Sequence, residues 1–225
     1  MSTRIKICGI TNLADARYAA GAGADYLGFI LHPGSPRFVG AEMVRDIGEW
    51  LYGPKTVGVF VNASRDAILE AVATAGFDLV QLHGDESPED CAALDMPVIK
   101  AVHIGGNGPA AANTADELMA LAVRYENSAA YLLLDTARDG LSGGTGEAFE
   151  WAIVPDLPLP VFVAGGLTAE NVGEAIRTCH PYAVDSSSGV EEAPGRKDFE
   201  LIDAFAEAVR AAATAAQKPA QRPTD

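Results

Sequence analysis

The chain has 225 residues, 48% hydrophobic and 21% charged, enough apolar material for a substantial core and an ordinary charge content for a globular protein. Against 16 basic residues stand 31 acidic ones, a formal charge of −15 that repels phosphate backbones, excludes nucleic acid as a partner and obliges any anionic ligand to find a locally positive pocket. No apolar run approaches the roughly 18 residues that span a bilayer, and three scattered cysteines, Cys8, Cys91 and Cys179, lack the spacing of a disulfide framework or a zinc site and fit a reducing compartment.

Met1-Ser2-Thr3 leads straight into a strand with no signal peptide in front of it, so the expected location is cytoplasmic. That first strand, residues 4–8, ends in Cys8-Gly9. A thiol at a strand end beside a glycine is expected to be exposed, as a core thiol is not. A second strand over 26–31 runs into His32-Pro33-Gly34-Ser35-Pro36-Arg37. Its two prolines stiffen the loop that carries Arg37. An arginine held this way suits bidentate grip of a carboxylate and equally suits pairing with a helix acid; the loop alone does not choose.

Strands are expected next over 56–61 and 79–82, the latter leading into His83-Gly84-Asp85. His83 can polarise a ligand or brace a neighbouring loop, and bracing is the favoured role. A fifth strand over 98–102 is followed by a glycine- and alanine-rich segment, 103–113, with little reactive chemistry. The sixth strand, 131–134, delivers Asp135. That carboxylate either caps a loop or acts as an acid, and the glycine-rich stretch Asp139 to Gly146, able to close over a ligand, tips the balance to the acid. After the seventh strand, 161–164, comes Gly165-Gly166-Leu167, and after the eighth, 183–186, comes Ser187-Ser188-Gly189. Glycines and serines in two consecutive loops of this kind make an anion cradle of backbone N–H groups.

Between the strands the hydrophobic period changes to that of helices, over 14–22, 41–51, 65–75, 88–94, 115–125, 147–154, 169–178 and 199–213. Ser87-Pro88-Glu89-Asp90 and Thr168-Ala169-Glu170-Asn171 read as helix starts. Eight such units imply a parallel sheet covered by helices. The economical arrangement is an α/β fold of one domain, a closed (β/α)8 TIM barrel of the phosphate-binding type over residues 1–213, with a disordered tail over 214–225. A doubly wound open sheet is the rival. It would gather its chemistry at one crevice, whereas here reactive residues follow nearly every strand.

Taken together, Lys6-Ile7-Cys8-Gly9, Ser35-Pro36-Arg37, Gln81-Leu82-His83-Gly84, Leu134-Asp135, Gly143-Gly144-Thr145-Gly146, Ala164-Gly165-Gly166-Leu167 and Ser187-Ser188-Gly189-Val190-Glu191 resemble the phosphoribosylanthranilate isomerase family, in order, over residues 6–198. The Gly-Gly-Leu turn recurs across phosphate-binding barrels; the cysteine motif joined to the Gly-Gly-Thr-Gly loop is far more specific. Ser186 departs from the pattern, standing where an apolar residue is expected, which concerns packing rather than chemistry.

The resemblance implies an Amadori rearrangement of N-(5-phospho-β-D-ribosyl)anthranilate in tryptophan biosynthesis, with Cys8 as general base and Asp135 as general acid. It assigns Arg37 to the anthranilate carboxylate and places Gly143, Gly144, Gly165, Gly166, Ser187, Ser188 and Gly189 around the substrate. Among these, Gly166, Ser188 and Gly189 offer backbone N–H groups to the phosphate. Neither metal nor other cofactor is implied. Asp135 needs its ordinary carboxylate pKa raised in order to donate a proton near neutrality. Lys6 is not credited with activating Cys8, because strand alternation need not place both on one face. The alternatives are a related barrel, either indole-glycerol-phosphate synthase or a histidine-pathway isomerase, and a non-catalytic sugar-phosphate-binding barrel. The expected partner is a small phosphorylated molecule, without nucleic acid or membrane, bound by a monomer.

Overall fold

The computed structural model describes residues 2–105, 108–135 and 154–217. Its eight principal strands are β1 (Arg4–Cys8), β2 (Tyr26–Ile30), β3 (Lys55–Phe60), β4 (Leu79–Leu82), β5 (Val98–Ile104), β6 (Tyr131–Asp135), β7 (Val161–Ala164) and β8 (Ala183–Ser186). Each pairs in parallel with the next, and β8 returns to pair with β1, so the sheet closes on itself and the open-sheet alternative fails. Four of the expected strands have the observed bounds and four shift by one or two residues. The fifth runs longer because a two-residue strand, Ala111–Ala112, pairs with His103 and Ile104 and draws them into the sheet.

Around the barrel lie α1 (Leu13–Gly21), α2 (Ala41–Gly48), α3 (Arg65–Ala75), α4 (Pro88–Ala92), α5 (Ala115–Tyr125), α6 (Val172–Cys179) and α7 (Phe199–Gln217). Their starts follow from side-chain caps. Asn12 accepts from Asp15 N–H at 2.9 Å, and Ser64 and Thr114 cap α3 and α5. Ser87 and Asp90 form a reciprocal capping box with Pro88 in the first turn. At α6 the expected start is one turn early. Asn171 Oδ1 accepts from Thr168 N–H at 2.8 Å, and this closed turn precedes the helix. The helix expected over 147–154 lies outside the described residues but for Val154. Helix α7 runs through 214–217, where a tail was expected, and 218–225 lie outside the described residues. Among the described residues no helix is long and apolar enough to cross a membrane.

Alternation along each strand divides the apolar residues between two layers. Val57, Leu79, Ile99, Leu133 and Phe162 fill the barrel interior. Ile5, Ile7, Leu27, Phe29, Val80, Val102, Leu134 and Val163 face outward under the helices. Both faces are covered, which is why the strands read as nearly continuous apolar runs. Ser186, the departure noted in the last strand, is buried and donates to the Leu167 carbonyl at 2.7 Å, so its hydroxyl fastens one loop to another.

Lys100, on the outer side of β5, is fully buried. Its ammonium donates to the Gly84 carbonyl at 2.6 Å and to Glu86 at 2.8 Å. Glu86 also accepts from the N–H groups of Asn62 and Gly84, so one buried pair holds the loop after β4 against β5. Removing one member strands the other's charge out of water. Glu86→Ala is therefore expected to cost about 3–5 kcal/mol of stability, read as a fall in denaturant midpoint at constant slope. Lys100→Met combined with Glu86→Leu is expected to recover much of the loss.

Candidate active site

At the C-terminal rim of the strands a cavity of about 370 Å³ is lined by Cys8, His32, Ser35, Arg37, Gln81, His83, Asp135, Gly165, Gly166, Asp185, Ser187 and Ser188 among others. A larger hollow of about 650 Å³ lies at the opposite end, around Arg4, Pro158, Pro160 and Tyr182. Volume does not decide between them. The smaller one sits at the C-terminal ends of the strands, where a parallel barrel gathers its chemistry, and its lining brings a thiol, two carboxylates and two imidazoles together.

Cys8 ends β1 with its side chain inside the barrel. It is 6% exposed, so the expected exposure is corrected: its sulfur faces the cavity but is otherwise enclosed. The reason lies on the next strand. Gly28 sits opposite Cys8 in the register, and a Cβ there would fall 2.6 Å from the sulfur and 3.1 Å from Lys6 Nζ. The missing side chain is the room the thiol occupies. Lys6 is corrected too. Residues two apart on a strand share a face, and the Lys6 ammonium lies within the barrel close enough to the sulfur to favour its charged form.

Lys6 is fully buried and meets Asp185, its register partner on β8, at 2.9 Å. Burial disfavours its charge, but the Asp185 carboxylate and the Cys8 sulfur outweigh that and raise its pKa above the usual lysine value. For Cys8 the balance goes the other way. Burial pushes the thiol up, the Lys6 ammonium pulls it down, and burial wins. At neutral pH the resting group is therefore the thiol. Cys91 and Cys179 are pushed up to about 11 by burial, and neither lines the cavity.

On the rim, Arg37 donates to both oxygens of Glu191, at 2.9 Å and 3.0 Å from Nε and 2.7 Å from the terminal nitrogen. Glu191 belongs to the short hairpin Glu191–Ala193 and Arg196–Lys197. Its opposite strand supplies Lys197, whose buried ammonium reaches Glu191 at 2.8 Å, the Cys8 carbonyl at 2.6 Å and the Ser187 carbonyl at 3.0 Å. Burial would raise the Glu191 pKa, but hydrogen bonds from Arg37 and Lys197 hold it below the ordinary carboxylate value. Two cations and one anion leave a net positive charge here. Gly9 makes the packing possible, since its φ is +77° and a Cβ would strike the Arg37 side chain at 2.6 Å.

Asp135 closes β6, and its Oδ2 lies 3.0 Å from His83 Nε2. The other ring nitrogen, Nδ1, is 2.9 Å from Gln81 Nε2. His83 thus braces a neighbour, as favoured, but the neighbour is the candidate acid and the ring lines the cavity. Gly165, Gly166, Ser187 and Ser188 also reach the cavity. Gly189 sits behind it with its backbone against the Leu167 carbonyl, and Gly143 and Gly144 lie outside the described residues. Among the described residues, three buried polar atoms have no hydrogen-bond partner: Gln81 Oε1, Asp185 Oδ1 and Ser187 Oγ. All three belong to lining residues, which is where polar groups wait for a ligand.

Sequence reasoning passed over Lys6, Asp185, Glu191 and Lys197. For Lys6 the signal was available in the two-residue spacing from Cys8. For the others, pairing across 154 to 189 positions was not.

The thiol's surroundings give a test independent of any ligand. Alkylation of Cys8 by iodoacetamide, followed by mass spectrometry against pH, is expected to rise with a midpoint above about 8.5, the value of an unperturbed thiol. Lys6→Met removes a cation that favours the thiolate, so its midpoint should move higher still. A midpoint unmoved by Lys6→Met would show that the ammonium does not act on the sulfur.

The family model for N-(5'-phosphoribosyl)anthranilate (PRA) isomerase matches residues 5–208. An N-(5'-phosphoribosyl)anthranilate isomerase of Pseudomonas putida is 46% identical over 213 residues, covering 94% of this chain and 99% of the relative. The crystal structure of phosphoribosyl anthranilate isomerase from Thermotoga maritima superposes with a TM-score of 0.80 at 36% identity, covering 93% of this chain and 99% of that one. A further phosphoribosyl anthranilate isomerase structure, in complex with reduced 1-(o-carboxyphenylamino)-1-deoxyribulose 5-phosphate, has a TM-score of 0.77 at 34% identity with the same coverage.

Proposed function

The chain belongs to the phosphoribosylanthranilate isomerase family and isomerises N-(5-phospho-β-D-ribosyl)anthranilate in tryptophan biosynthesis; from that premise we propose how its residues do so. Asp135, protonated, donates to the ribose ring oxygen as the C1′–O bond breaks and the anthranilate nitrogen forms a Schiff base. Cys8, as thiolate, removes the proton from C2′. The resulting enolamine gains a proton at C1′ and loses one from the C2′ hydroxyl, which gives the ketone. The observation that carries this assignment is the convergence of a thiol and a carboxylate on one cavity from the ends of β1 and β6, with Lys6 behind the thiol.

The surroundings bear on both protonation states, and Cys8, a thiol at rest, becomes the base only in the fraction that has lost its proton to solvent. When the proton leaves Cys8, the thiolate lies beside an ammonium already fixed by Asp185. On the other side, Gln81 Oε1 is buried without a partner. Turning that amide over lets Oε1 accept from His83 Nδ1–H, so that Nε2 accepts from Asp135. In this tautomer His83 keeps the acid loaded and acts as a positioning residue. Arg37, which together with Lys197 outweighs the charge of Glu191, faces the anthranilate carboxylate. Gly166, Ser188 and Gly189 take the phosphate, while Asp185 Oδ1 accepts from a sugar hydroxyl and Ser187 Oγ donates to a sugar or phosphate oxygen. Lys100 is spent on Glu86 outside the barrel interior, which weakens the lysine-dependent synthase alternative. A mere binding barrel would have no use for a lysine behind a buried thiol. The three unpaired cysteines support a cytoplasmic setting.

Purified protein should consume freshly made phosphoribosylanthranilate, followed as loss of anthranilate-type fluorescence, with nothing added. Cys8→Ala and Asp135→Asn should each lower kcat by about 10²–10⁴-fold while a product analogue still binds; full turnover by Cys8→Ala would exclude it as the base. Arg37→Ala should fall mainly on KM. For His83→Ala the expected signature is a lower kcat with KM little changed, because Asp135 then loses the ring that holds its carboxyl in place. A KM rise with kcat unchanged would reduce His83 to a packing residue.

A further inference from the structure

Two imidazoles meet at the carboxylate of the acid, Asp135. His103, in β5, and His83, just past β4, lie edge to face with ring centroids 5.3 Å apart. One nitrogen of each ring and one oxygen of Asp135 lie within 4.8 Å of one another, and all three side chains are half-buried, so solvent reaches them. His103 does not line the cavity assigned to the reaction, and no step of the rearrangement uses it.

We propose that His83, His103 and Asp135 bind a divalent transition-metal ion of the zinc class, and that this ion and the substrate exclude each other. Zinc bound at about 2.0–2.2 Å by nitrogen and oxygen in a tetrahedral site wants ligand atoms about 3.3 Å apart. His83 Nε2 and Asp135 Oδ2, at 3.0 Å, are already close to that separation. His103 holds a 3.2 Å contact from Nε2 to the His83 carbonyl and closes the remaining gap from at most 4.8 Å by a ring movement of up to about 1.5 Å.

The layer behind the ligands fits as well. Metal-bound imidazoles generally donate their second N–H to an oxygen. Gln81 supplies one, since its unpartnered Oε1 can turn to His83 Nδ1, which leaves the Nε2 lone pair for the ion. Two imidazoles and one carboxylate, with water in the fourth position, suit Zn²⁺, Co²⁺ or Ni²⁺ rather than Mg²⁺ or Ca²⁺, which prefer oxygen sets. The exclusion of substrate rests on Asp135 as the acid, because the ion takes the oxygen that must carry the proton.

Titration of the full chain with Co²⁺, read by visible d–d absorption and reversed by Zn²⁺, tests the site without any substrate. His103→Ala should weaken Co²⁺ binding at least about tenfold and leave metal-free turnover at the wild-type level. His103→Gln, which keeps an amide donor for the His83 carbonyl, should do the same and controls for misfolding. Zinc should inhibit wild type, a chelator should restore it, and both variants should resist. Equal cobalt binding by wild type and both variants, or a cobalt–thiolate band pointing to Cys8, would overturn the site. Cobalt binding that needs His103 while turnover ignores zinc would keep the site but defeat the exclusion, and would count against Asp135 as the acid rather than against the ligands.

Discussion

Closing the barrel sets β8 beside β1 in a register that places Asp185 against Lys6, and the active end of the molecule is built on that contact. An ammonium wholly out of water persists only with a carboxylate at hydrogen-bond distance, here 2.9 Å away. As an adhesive such a pair is unremarkable, because well-packed apolar side chains of similar volume often stabilise as much. Its consequence is electrostatic. It fixes a positive charge behind Cys8 and turns one carboxylate oxygen of Asp185 toward the cavity without a partner. Below that level the interior is Val57, Leu79, Ile99, Leu133 and Phe162, whose low polarity makes each charge above it count for more.

A second buried lysine completes the frame. Lys197 draws the Cys8 and Ser187 carbonyls and the Glu191 carboxylate onto one ammonium, so the end of β1 and the loop after β8 cannot move independently. Glu191 in turn holds Arg37 by a bidentate pair. The chain as a whole is strongly acidic, yet this corner carries an excess of positive charge. An anion approaching the rim meets the near field of Arg37 and Lys197, while the distant carboxylates are damped by salt over about 10 Å.

Local signals carried much of the architecture. Continuous apolar runs bounded by glycine, and caps such as Ser87 with Asp90, depend on a few neighbouring residues, and those elements came out where the pattern put them. Where boundaries moved, a distant partner moved them. Ala111 and Ala112 lengthened β5 by pairing with it, and Asn171 closed a turn on Thr168 that delayed α6. That Cys8, Arg37, Asp135, Gly165, Gly166, Ser187 and Ser188 line one cavity was readable because each ends or follows a strand, and a parallel barrel gathers all such positions at one end.

By itself, the sequence determined the repeating strand–helix order, the residues delivered to the rim, and the family whose motifs they match. Periodicity and short motifs encode these within a few positions of the chain. The burial of Cys8 against Gly28, the Lys6–Asp185 pair, the grip of Glu191 and Lys197 on the loops, and the meeting of His83, His103 and Asp135 were decided only by tertiary structure. Each joins residues on different strands or loops, and the barrel's closure and register bring them within hydrogen-bond range. No spacing along the chain records that distance, so the protonation of the thiol and its neighbours was settled in the fold.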